Sequence, residues 1–157
     1  METNLDLFWP LREIAIGAIM LLVSLTIHFL GMLSVQAVYA HRVSKRPYLS
    51  VARQAGLALL VLMMVLTHLL EIIAWAVALY FLGAIGNLRD ANYYVSVTYT
   101  TLGYAEGTLP LNWRFLSPMI AMSGLFAFGW TTGVLFQIVT QDIAARNASA
   151  AEPPGRR

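Results

Sequence analysis

The chain has 157 residues, 59% hydrophobic and 11% charged, with a mean hydropathy of +0.67. A soluble domain of this length carries about 25% charge, so the composition is that of one integral membrane domain. The absence of cysteine excludes disulfides, zinc–thiolate sites and thiol nucleophiles, and a formal net charge of +2 offers no footprint for nucleic acid.

The N-terminal segment, residues 1–13, reads METNLDLFWPLRE. Its acids outnumber its one base, Arg12, which argues against a cleavable signal. Phe8 and Trp9 are candidate interfacial anchors. The first apolar run, 14–40, exceeds the ~20 residues a helix needs to cross the hydrocarbon. His28 is its one residue of the Asp, Glu, Lys, Arg and His set. Residues 41–54 form a basic loop with Arg42, Lys45, Arg46 and Arg53 and no acid, and Pro47 breaks the helix there. Such a bias holds a short loop on the cytoplasmic side.

A second apolar run, 55–83, is interrupted by His68 and Glu71. Breakers follow at Gly83, Gly86 and Asn87, and Asp90 is a good N-cap. The pattern predicts a short helix over 90–100, too short to span. A polar stretch, TYTTLGYAEG from Thr98 to Gly107, comes next. The last apolar run, 118–141, opens on Pro118, which suits a first helical turn. Residues 142–157 read as a small, polar, flexible tail. The basic loop and the tail's arginines place the N-terminus outside and the C-terminus in the cytoplasm.

Irregular backbone between two spanning helices survives at membrane depth only if it is buried in protein or lines water. A re-entrant pore loop satisfies that condition; an ordinary surface loop is the alternative. The residues Thr98, Tyr99, Thr100, Thr101, Leu102, Gly103, Tyr104 resemble the potassium-channel signature T-x-x-T-x-G-Y-G-D. The order outer helix (55–83), pore helix (90–100), filter (101–106), inner helix (118–141) is similar to that of the two-helix-pore potassium channels. The first helix is an addition to that pattern.

The resemblance implies an all-α membrane protein with three transmembrane helices, a re-entrant pore helix and a selectivity-filter loop, assembled as a homotetramer in a bacterial plasma membrane. It implies passive passage of K+, held by the carbonyls of Thr101, Leu102, Gly103 and Tyr104, with no cofactor besides the permeant ion. Thr101 would add its hydroxyl at the inner end, and Leu102 would pack behind the filter. Gly103 would turn its carbonyl inward through a positive φ. The Tyr104 ring would prop the loop open. Ala105 departs from the second glycine, and Glu106 replaces the aspartate while keeping a negative outer mouth. A left-handed alanine costs about 1–2 kcal/mol, so a weakly selective cation channel stands as the first alternative. A non-conducting sensor or accessory subunit is the second. No nucleophile–base pair, phosphate loop or cofactor motif points to an enzyme.

Gly124 is a candidate hinge of the inner helix, with close helix packing as its other reading. His68 and Glu71, three apart, share a helix face, and His28 lies at similar depth on its own helix. Mutual satisfaction of this buried trio, tying the first helix to the pore domain, is the simplest account. A proton-sensitive gate and a transition-metal site are the others.

Overall fold

The computed structural model describes residues 5–47, 50–104 and 109–151. Four helices form in chain order: α1 (Leu5–Val38), α2 (Val51–Phe81), α3 (Leu88–Tyr99) and α4 (Leu116–Ala151). Among the described residues, three segments are long and apolar enough to cross a membrane, Leu11–Val43, Val51–Phe81 and Leu111–Ala148. No strand occurs among the described residues. The protein is an all-α membrane protein.

Helix ends follow from local chemistry. The last turn of the first span widens into a π-helical turn, Tyr39–Val43, closed by the Ser44 amide donating to the Tyr39 carbonyl at 2.9 Å. This turn buries both Tyr39 and Val43. Ser50 caps α2, its hydroxyl accepting from the Arg53 amide at 3.2 Å. Gly83, at φ +67°, ends α2, and the Ala84 amide returns to the Leu79 carbonyl at 3.0 Å. The cap of α3 is Asn87, three residues before Asp90. Its side-chain carbonyl accepts from the Asp90 amide at 2.8 Å, and its amide donates back to the Asp90 carboxylate. Both residues are good caps; Asn87 wins because Asp90 then falls in the first turn, where its charge meets the helix dipole. Helix α4 runs on to Ala151, through residues read from the sequence as a flexible tail. That stretch, DIAARNASAA, is rich in alanine, the best helix former.

The first helix packs within its own chain, against both α2 and α4. Two apolar clusters stack along the bundle. One joins Trp75 and Leu79 of α2, Val95 and Tyr99 of α3, and Leu116 and Ile120 of α4. The other joins Met32 and Val35 of α1, Leu60 and Met64 of α2, and Val134 and Ile138 of α4. Between them lies a layer of polar side chains.

Close approach of α1 and α2 is set by Gly31, where an added Cβ would stand 2.5 Å from both Oγ1 and Cγ2 of Thr67. Gly31→Ala is therefore expected to cost about 1–3 kcal/mol of stability by overpacking. Adding Thr67→Ala, which removes both clashing atoms, is expected to recover most of that loss. Unfolding in mixed micelles, followed by tryptophan fluorescence, measures both.

Candidate functional site

The polar layer draws on all four helices. Glu71, fully buried on α2, makes three hydrogen bonds. The ring Nδ1 of His28 lies 2.8 Å from its Oε1, and Ser24 and Tyr99 donate to its Oε2 at 2.9 and 3.0 Å. Ser24 and His28 come from α1, Tyr99 from the last residue of α3. His68 does not bond Glu71 directly. Its Nδ1 meets the Tyr99 hydroxyl at 2.9 Å, and its Nε2 meets the Thr131 hydroxyl of α4 at 3.0 Å. The Thr131 oxygen also lies 3.4 Å from Nε2 of His28. The rings of His28 and His68 are 5.4 Å apart, and Phe128 packs on His68 at 4.6 Å.

His28, His68 and Glu71 offer ligand atoms within 4.8 Å of one another, which meets the donor set of a transition metal. The hydrogen bonds on the page already occupy both oxygens of Glu71 and both nitrogens of each ring, and this mutual satisfaction is what removes the cost of burial.

The layer fixes the depth of α3. Glu71 and His68 lie near the middle of α2, and Thr131 near the middle of α4. By bonding to them, Tyr99 brings the C-terminal end of the short helix to mid-bundle. Gly124 of α4 closes the other side: a Cβ there would stand 2.0 Å from the Tyr99 carbonyl oxygen. The contact at Gly124 is thus one of close packing onto α3, and α4 is helical through it.

The chain leaves α3 through a tight reversal. Thr101 takes φ +60°, and the Leu102 amide reaches back to the Val97 carbonyl at 2.9 Å. This is a Schellman-type cap, with a threonine where glycine is the usual occupant. A left-handed β-branched residue is an outlier and stores about 1–2 kcal/mol. The amides of Thr101 and Gly103 also turn back, to the Thr98 carbonyl at 3.0 Å and the Val97 carbonyl at 3.4 Å. Gly103 has φ +73°. Within one chain Leu102 and Tyr104 are uncovered, at 58% and 76% exposure. Ala105 and Glu106 lie outside the described residues.

Sequence reading missed several participants. Ser24 sits one turn before His28 on the same face of α1, and that spacing was the available signal. Tyr99 was counted only as part of the signature string. At the far end of the bundle, Arg53 and Asp142 form a buried ion pair. Arg53 Nε and Nη2 donate to Asp142 Oδ1 at 3.0 and 2.5 Å, and Nη1 donates to the Arg46 and Ser44 carbonyls at 2.7 and 3.3 Å. Near the start of α1, buried Glu13 accepts from the Phe115 amide at 3.0 Å, and Arg12 lies 5.4 Å from the centre of the Trp113 ring.

Comparison with known proteins adds one finding. No curated protein and no solved structure matches the chain. Residues 67–141 match the family described as "Ion channel", the two-transmembrane pore-loop channels. The matched stretch begins beside His68 and Glu71, contains α3 and the reversal at Thr101, and extends through most of α4. The match covers just under half of the chain, and over these residues the chain is similar to the pore-loop ion channels; its three long apolar helices are those of an integral membrane protein.

Proposed function

We propose that the protein is the subunit of a homotetrameric potassium channel, with residues 101–106 of four chains forming the selectivity filter around one axis. The observation that carries this reading is the depth of Tyr99. It is held at mid-bundle by α2 and α4, so the residues after it enter the bilayer's interior rather than lie on its surface. Polar backbone at that depth needs protein or water around it, and neighbouring copies supply both. The C-terminal end of α3, with its partial negative charge, then points to the central space and favours a cation there.

Other features fit. The exposed side chains of Leu102 and Tyr104 find cover against adjacent subunits. On α4, Gly129 and Gly133 stand four apart with open space around both, a spacing that lets helices of neighbouring chains approach closely. The exposed bases Arg42, Lys45 and Arg46 set the turn between α1 and α2 in the cytoplasm, with the N-terminus outside.

The test is ion flux through purified protein in liposomes, followed by reversal potentials in mixed potassium and sodium. A potassium-selective current from particles of four chains is the expected result. Equal permeation of both ions points to the weakly selective alternative raised by Ala105. No flux at all overturns the channel reading.

A further inference from the structure

The polar layer does more than neutralise itself. Its hydrogen bonds form one connected set. Ser24 and Tyr99 both donate to Oε2 of Glu71, and Nδ1 of His28 meets Oε1 at 2.8 Å. The Tyr99 hydroxyl proton is used on Glu71, so its oxygen accepts, and Nδ1 of His68 carries a hydrogen. Nε2 of His68 meets the Thr131 hydroxyl, whose oxygen also faces Nε2 of His28 at 3.4 Å. Helix α1 therefore supplies two of the three partners of Glu71, and α3 the third.

Resting on the channel reading above, we propose that Glu71 is a positioning residue for the selectivity filter, acting through Tyr99, and that Ser24 and His28 of α1 hold its carboxyl group in the orientation that receives Tyr99. Two of the three partners of Glu71 come from a helix that the two-helix pore itself lacks. Without them the carboxyl group would be buried with one hydrogen bond in place of three and would turn to find others. Tyr99 lies two residues before Thr101, and its carbonyl rests on α4 at Gly124. Loosening the hydroxyl end tilts α3 against that contact and moves the strained reversal that opens the filter. Ion discrimination thus depends on α1, although none of the α1 bonds described above reaches residues 101–104.

The experiment uses the full chain in liposomes and reads the potassium-to-sodium permeability ratio, with thermal stability measured in parallel. Glu71→Gln replaces an acceptor oxygen by an amide at constant shape, Tyr99→Phe removes only the hydroxyl, and His28→Gln removes the α1 imidazole. Each is expected to lower the ratio about tenfold, the scale of one buried hydrogen bond. The double variant Glu71→Gln with Tyr99→Phe is expected to be no worse than either single one, because both break the same contact. Ser24→Ala, the mildest change, gives a smaller drop and keeps the test open if a stronger variant fails to fold. A purely structural layer would lower thermal stability and leave the ratio where it was; that outcome across the folded variants overturns the inference. A wild-type protein that conducts nothing overturns the channel reading, and the inference with it.

Discussion

Gly124→Ala is expected to destabilise the protein by at least about 3 kcal/mol, the upper end of overpacking costs, and to abolish ion flux. The added Cβ would stand 2.0 Å from the Tyr99 carbonyl oxygen and 2.9 Å from its carbon, against ~3.5–4.0 Å for a relaxed contact. Both atoms are backbone, so no rotamer change relieves the clash. Either α4 or the end of α3 must move, and α3 is held from behind by Glu71 and His68. The sign of the stability change separates packing from hinging. Alanine is favoured over glycine by about 1 kcal/mol inside a helix. A glycine that served only as a hinge would therefore give a more stable variant with altered opening. Micelle unfolding and liposome flux on one preparation measure both quantities.

Asp142→Ala is expected to cost about 3–5 kcal/mol, because it breaks a buried ion pair by removing one partner. Arg53 and Asp142 are both buried, and two nitrogens of the guanidinium, Nε and Nη2, meet one oxygen of the carboxylate. The carbonyls of Ser44 and Arg46 satisfy Nη1 but do not neutralise the charge. Replacing both residues, Arg53→Met with Asp142→Leu, is expected to recover most of the loss, since a buried pair contributes little over an apolar pair of similar size. A double-mutant cycle by micelle unfolding reads the coupling. Near-additive losses would show that the pair is not energetically linked.

The sequence revealed what depends on composition and local order. Three spans follow from hydropathy, because the bilayer demands long apolar runs whatever they pack against. A short helix between breakers, then a signature string, is visible as a pattern along the chain. The shared depth of His28, His68 and Glu71 could also be counted off helix positions. What remained hidden depends on partners far apart in sequence. Arg53 sits among other bases and was counted as part of a solvated loop, yet its partner lies 89 residues away. Thr131 and Ser24 look like any hydroxyl in a membrane helix, where bonding back to the preceding turn is the common outcome. Thr26, Ser34 and Thr132 do just that. The Asn87 cap was missed because Asp90 was an equally good candidate three residues on. The length of α4 was missed because low hydropathy marks where a span ends, not where a helix does.

The reversal after α3 has one more consequence. Three successive amides, those of Thr101, Leu102 and Gly103, are turned inward and occupied by the chain's own carbonyls. None is left to greet a visitor with a hydrogen. An anion such as chloride therefore finds no nest of free amides at these three positions.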